Sequence, residues 1–174
     1  MGNYYPYWSY EQGHKHKNPL FDNYSNQILN LKHHSDSAIK YFYEILKPLS
    51  NRNTLLAVAP SHDPQIPDSG VRDVAKLLCK NGLWLDATDC LKRKTKISKL
   101  TSGGSRIIQV HLDSIKVENP NIIKGRDIFL LDDVKTTGNT LIACRMLLER
   151  AGAKSVKTYA LGETYLNQSR QMSR

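Results

Sequence analysis

The stretch that most limits what this chain can fold into runs from Ile128 to Ala160. It opens on four consecutive apolar residues, Ile128-Phe129-Leu130-Leu131, which suit a strand buried on both faces. The run ends on an acidic pair, Asp132-Asp133, and continues into Val134-Lys135-Thr136-Thr137-Gly138-Asn139-Thr140. A helix is predicted from about Thr140, because Leu141, Cys144, Leu147, Leu148 and Ala151 recur on one face. Ile142 and Met146 lie off that face, so cover on more than one side is expected. Gly152 supplies a stop, and Val156, Thr158 and Ala160 suggest a following strand. Strand, loop, helix and strand make a βαβ unit, which implies a parallel sheet.

A second short apolar run, Leu55 to Ala59, stops at Pro60 and reads as another buried strand. Both strands lead into conspicuous loops, and in open α/β sheets ligands bind beyond the carboxyl ends of strands. "SDSAIKYFYEILKPL" predicts a helix capped by Ser35 or Asp36 and ended by Pro48. Ser69 can cap another, whose apolar face is Val71, Val74, Ala75 and Leu78 and whose stop is Gly82. A short strand is expected around Leu83-Trp84-Leu85, and another over "RIIQVHL", Arg106 to Leu112. Asn119-Pro120-Asn121 marks a turn. Residues 1–19, rich in Tyr, His and Lys without a period, read as an irregular arm. His14 and His16 there suit solvated imidazoles better than metal ligands.

The chain of 174 residues carries a net charge of +9. Such a charge means either a solvated basic surface or a polyanionic partner, nucleic acid or a phosphorylated small molecule. Lys92, Arg93, Lys94, Lys96, Lys99 and Arg106 fall in one acid-free segment, and Ser102-Gly103-Gly104-Ser105 within it reads as a mobile loop. No apolar run is long enough to cross a bilayer, and the N-terminus has no apolar signal core. Cys79, Cys90 and Cys144 lack paired or metal-type spacing, which suggests core thiols in a reducing compartment, the cytoplasm.

A loop of this kind followed by a helix N-terminus directs amide N–H groups and partial positive charge at an anion such as phosphate. Thr136, Thr137 and Thr140 add hydroxyls, and Gly138 lets a ligand approach the backbone. Neither a Walker A loop nor a G-x-G-x-x-G fingerprint is present. Acids placed before a phosphate loop suit a sugar phosphate, with carboxylates accepting from vicinal hydroxyls. An Asp-Asp dipeptide alone more often only caps a turn; the agreement of strand, acids, loop and helix favours the ligand site.

The string "IFLLDDVKTTGNTL" resembles the phosphoribosyl-pyrophosphate signature of type I phosphoribosyltransferases. "LAVAPSHDP", "LKRKTKISKL" with Arg106, and "LLERAGAKSVKTYAL" extend the likeness to the ComF-like branch, over about Leu55 to Glu163. The chain departs from that branch in having no CxxC, and so no N-terminal zinc ribbon. "PDSGV" stands where that branch has Arg-Gly-Phe-Asn-Gln, and Thr136 where purine salvage enzymes place a catalytic aspartate.

The resemblance implies an α/β fold: a single-domain parallel sheet flanked by helices over residues 51–174, with residues 1–50 as a variable N-terminal hood. It implies binding of 5-phosphoribosyl 1-pyrophosphate with Mg²⁺ and transfer of the phosphoribosyl group to a nitrogenous acceptor. Lys135, Thr136, Thr137, Gly138, Asn139 and Thr140 would hold the 5-phosphate, and Asp132 and Asp133 the ribose hydroxyls, directly or through Mg²⁺. Ser61 and His62 would meet the pyrophosphate, His62 either donating a proton or facing solvent, with Lys96, Lys99 and Arg106 as basic-loop candidates. Tyr41, Tyr43 and Trp84 could stack on an acceptor ring but suit core or surface packing better. The alternatives are a ComF-like accessory protein of DNA uptake or nucleic-acid metabolism, and a non-catalytic sensor of the same ligand. A homodimer is compatible with the family; nucleic acid is a permitted partner and a membrane is not expected.

Overall fold

The computed structural model describes residues 1–11, 14–66, 68–97 and 108–164. Its centre is a five-stranded parallel sheet built from β1 (Gly2–Tyr4), β4 (Leu55–Val58), β5 (Leu85–Asp86), β8 (Asp127–Lys135) and β9 (Ser155–Thr164). The strand order is β1-β9-β8-β4-β5. Registers run Leu55↔Ile128 to Val58↔Leu131 and Asp127↔Ser155 to Lys135↔Glu163. Two antiparallel pairs stand outside it: β2 (Trp8–Glu11) with β3 (His14–Lys17), and β6 (Leu91–Arg93) with β7 (Ile115–Val117).

Helices cover both faces, as an all-parallel sheet requires. On one side α1 (Asn23–Lys32), α2 (Asp36–Leu46) and α3 (Gly70–Lys80) bring Ile28, Leu31, Phe42, Val74 and Leu78 against Leu56, Val58, Phe129 and Leu131. On the other, α6 (Asn139–Arg150) sets Leu141, Cys144 and Leu148 against Leu55, Ala57, Ile128 and Leu130. Strand residues therefore alternate between two cores, which is why their sequences read as unbroken apolar runs. Short helices α4 (Ile108–Ser114) and α5 (Pro120–Ile123) complete the second layer. The sheet-covering helices start and stop where small or polar residues release the chain. Asp22 caps α1 by accepting from the Ser25 N–H at 2.7 Å, and Gly82 follows α3 at φ 67°.

Several sequence expectations change. Residues 1–19 are not an irregular arm through the described part: Gly2, Asn3 and Tyr4 pair with Gly162, Glu163 and Thr164, and β2 and β3 form a hairpin. Among β1's residues only Tyr4 is buried, so no apolar period announced the strand. Of "RIIQVHL", residues 108–112 belong to helix α4 rather than a strand; a short apolar run fits either, and spacing decides, since His111 and Ser114 are buried three apart. Strand β8 does not end at Asp132 but continues to Lys135, because its pairing with β9 persists that far. Ile142 is exposed, so α6 is not covered there. Trp84 is a core residue, tilted against Phe129 at 5.6 Å between ring centroids.

Candidate functional site

A cleft of about 620 Å³ opens at the carboxyl ends of β4 and β8. Ser61, His62, Asp132, Asp133 and every residue from Lys135 to Thr140 line it. Lys96 does not; Lys99 and Arg106 lie outside the described residues.

The turn after β8 is set by Gly138, the N-cap residue of α6, at φ 78° and ψ 0°. A side chain at that φ is strained, and an added Cβ would come to 3.3 Å from the Lys135 side chain. Gly138 can cap nothing with a side chain, and the first intrahelical bond is Ile142 N–H to the Gly138 carbonyl at 2.9 Å. The amides of Thr140 and Leu141 lie in the first turn, where helix geometry supplies no carbonyl. Both residues line the cleft. This end of α6 is thus an uncapped helix N-terminus open to a ligand. At the strand side, Lys135 Nζ is 2.9 Å from Glu163 Oε1 and the Thr136 hydroxyl is 3.3 Å from that of Thr164.

The two acids differ. Asp132 accepts from the Asp133 N–H at 2.9 Å, and Asp133 from the Val134 N–H at 2.6 Å. Asp133 also faces Lys32 Nζ of α1 at 3.5 Å. Asp132 keeps some surface on the cleft, yet protein encloses its carboxyl. Enclosure first, and the neighbouring Asp133 second, hold that carboxyl well above the usual carboxylate range. That environment favours the protonated form of the Asp132 carboxyl. Lys32 reaches the cleft because Gly70 lets α3 meet the end of α1: a Cβ there would collide with the Leu31 carbonyl oxygen.

The loop after β4 is organised from within. The Ser61 hydroxyl lies 2.6 Å from the carbonyl oxygens of both Asp63 and Ile66, so it serves its own loop. The His62 carbonyl accepts from the Ile97 N–H at 3.0 Å. Lys96 Nζ sits 2.6 Å from Asp63 Oδ2 and ties the start of the basic segment to this loop. The Lys96 ammonium lowers the Asp63 carboxyl below its ordinary range.

Besides Lys32, two polar cleft residues that were not predicted as site residues are Arg93 and His111. Arg93, 7% exposed, donates from Nε to the Ser61 carbonyl at 2.9 Å and from Nη1 to the Ser114 hydroxyl at 2.6 Å. His111, also 7% exposed, has a buried Nδ1 with no hydrogen-bond partner. Burial, then the Arg93 charge, pushes its pKa down, so the imidazole is neutral. The Lys-rich run concealed Arg93; a strand's period of two, with Leu91 and Arg93 buried and Lys92 exposed between them, was the available signal. His111 was hidden by the strand reading of its segment. Among the described residues no group of three or more His, Cys, Asp or Glu side chains gathers as a metal would require. Nor is any helix there long and apolar enough to cross a membrane.

Residues 88–170 match the phosphoribosyl transferase domain family. An adenine phosphoribosyltransferase of Treponema denticola is 35% identical over 81 residues, 46% of this chain and 43% of that protein. A ribose-phosphate pyrophosphokinase of Methanobrevibacter smithii is 29% identical over 127 residues, 66% of this chain and 39% of that protein. A solved hypoxanthine phosphoribosyltransferase from Staphylococcus aureus superposes with a TM-score of 0.41 and 16% identity, over 78% of this chain and 62% of that one. The chain thus spans less than half the length of these two sequence relatives. The match to the phosphoribosyl transferase domain family takes in the β8–α6 junction.

Proposed function

We propose that this protein binds 5-phosphoribosyl 1-pyrophosphate in the cleft and transfers the phosphoribosyl group to a nitrogenous base, releasing pyrophosphate, as a ComF-like member of the superfamily. The observation that carries the reading is the junction of β8 and α6, where an uncapped helix start and an acid pair line one wall of the cleft. The 5-phosphate would sit on the amides and hydroxyls of Thr136 to Thr140, and the ribose hydroxyls would bond to Asp132 and Asp133. Departure of pyrophosphate leaves positive charge at the anomeric carbon, as in glycoside cleavage. The Asp133 carboxylate favours that charge electrostatically. Arg93 and His62 line the same cleft, and in this reading they would face the leaving anion. The two carboxylates are hard oxygen donors and fit Mg²⁺, which keeps several waters and needs few protein ligands. When bound, Mg²⁺ would neutralise pyrophosphate charge, held by Asp132 and Asp133. The relatives named for adenine make purine bases the first acceptors to try.

Calorimetry with phosphoribosyl pyrophosphate and Mg²⁺, followed by assay of pyrophosphate release with a panel of bases, tests this. Asp132→Asn with Asp133→Asn should abolish binding, a loss of at least about 100-fold for two charge-assisted contacts, with the circular dichroism spectrum unchanged. Unaltered binding in that variant rejects the assignment. Binding without turnover on any base would point instead to a sensor of the same ligand.

A further inference from the structure

We infer that the hairpin of β2 and β3 is a binding surface for single-stranded nucleic acid, separate from the cleft. Its cross-strand register pairs Trp8 with Lys17 and Tyr10 with Lys15. Directly opposed residues share a face of an antiparallel pair, so two aromatic rings and two ammonium groups stand together on one side. All four are exposed, Trp8 at 47% and Tyr10 at 63%. Two large aromatics this exposed on one face of a two-stranded ribbon form an apolar patch of the kind that marks a binding site. None of the described residues of the hairpin lines the cleft.

The spacing of the groups selects the ligand. Every base offers a flat ring, and a single strand alternates rings with phosphates; stacking platforms beside lysines match that alternation. In a duplex the bases are already stacked on one another, so no ring is free to lie on Trp8 or Tyr10. In the free protein Lys15 Nζ lies 4.3 Å from the centre of the Trp8 ring, and Lys17 Nζ 5.7 Å from that of Tyr7. The first contact keeps an ammonium group over the Trp8 ring. A base arriving on Trp8 would displace Lys15, whose charge is then a short swing from the adjoining phosphate. The net charge of +9 supplies the long-range attraction. The base of the ribbon is fixed: the Asn18 N–H bonds to the Tyr7 carbonyl at 2.9 Å, and Tyr7 packs edge-on against Phe21 at 5.0 Å. A pinned hairpin presents the face without an ordering cost.

The chain has two tryptophans, and the second, Trp84, is buried. Titration of the full chain with a thymidine 20-mer should therefore quench only Trp8. Fluorescence anisotropy of a labelled 20-mer gives the affinity. Trp8→Ala should weaken it at least about 5-fold and Trp8→Phe much less, since one stacked base contributes roughly that factor or more. Lys15→Ala with Lys17→Ala should reduce the slope of log affinity against log salt by roughly 0.7 per lysine. An equal-length duplex should bind more weakly. Any one of three results overturns the inference: no binding at low salt, equal affinity for duplex, or unchanged affinity in a Trp8→Ala, Tyr10→Ala variant with wild-type melting temperature. The Asp132→Asn, Asp133→Asn variant should bind the 20-mer as wild type does, which keeps this surface and the cleft experimentally apart.

Discussion

The loops after β4 and β8 leave neighbouring strands of one sheet and border one cleft, yet they commit their polar groups in opposite directions. After β8, the first-turn amides of α6 have no side-chain cap and the acids line the cleft. After β4, the Ser61 hydroxyl, the Ser61 and His62 carbonyls and the Asp63 carboxylate are all taken by the loop itself, by Arg93, by Ile97 or by Lys96. One loop is a cradle made chiefly of backbone and shaped by Gly138. The other is a folded strap held by side chains from a distant segment. A backbone cradle needs few side-chain staples, so ligand groups can be spared; a strap must be stapled first, and its polar groups go to that task before any ligand.

The largest effect that would test this contrast is on stability. Arg93→Met removes the donors to the partly buried Ser61 carbonyl and to the buried Ser114 hydroxyl. Leaving such groups unpaired costs about 1–3 kcal/mol each, with the Ser114 hydroxyl partly compensated by the Val110 carbonyl at 2.6 Å. A total near 2 kcal/mol lowers the melting temperature of a chain this size by roughly 4–8 °C. Arg93→Lys should rescue little, because one ammonium cannot reproduce a fork holding two acceptors. If Arg93→Met melts like wild type, the strap is not held as described.

The two sides also differed in how far they could be read from sequence. Around β8 and α6 the apolar run, the acids and the period of the helix each say the same thing, because a doubly covered strand and an amphipathic helix leave local patterns. The strap left none: its staples join Ser61 to Arg93, Asp63 to Lys96 and His62 to Ile97, pairs about 30 residues apart in sequence. Lys32 is a similar case, since its place beside Asp133 follows from the packing of α1 against α3 at Gly70, which no single-chain period reveals. At the N-terminus, β1 is held by edge pairing and one buried tyrosine, a signal too short to separate from coil.

A smaller and pH-dependent effect probes the cradle. The Asp132 carboxyl holds its proton to higher pH in the folded chain than the ordinary value of 3.8. A carboxyl raised in this way stabilises the fold below 3.8 and loses that contribution as pH rises through the folded value. Asp132→Asn, close in shape to the protonated acid, cannot ionise and should escape that loss. Denaturation midpoints of variant and wild type should coincide at acid pH and separate toward neutrality, with the variant more stable. A gap that is constant with pH, or of opposite sign, would show that Asp132 is not the enclosed acid. The same variant should bind the sugar phosphate less well, so that the group which weakens the fold at neutral pH is one the ligand uses.

The smallest effect separates the strap's staples from one another. Lys96 is largely exposed, and its pair with Asp63 sits in the outer layer of the molecule, where water and salt screen it. Asp63 has little surface of its own, but its cover is the loop rather than the core. Lys96→Ala should therefore leave the melting temperature without a resolvable change, in contrast to Arg93→Met. What it should change is the titration of one carboxyl. Without the ammonium, first as hydrogen-bond donor and then as charge, the Asp63 pKa moves up toward 3.8, readable by carbonyl NMR. A melting temperature that falls as far as in the Arg93 variant would mean that the basic segment is built into the strap as firmly as Arg93. A carboxyl that does not move would mean that Lys96 and Asp63 do not meet in solution, leaving that lysine available to a ligand in the cleft.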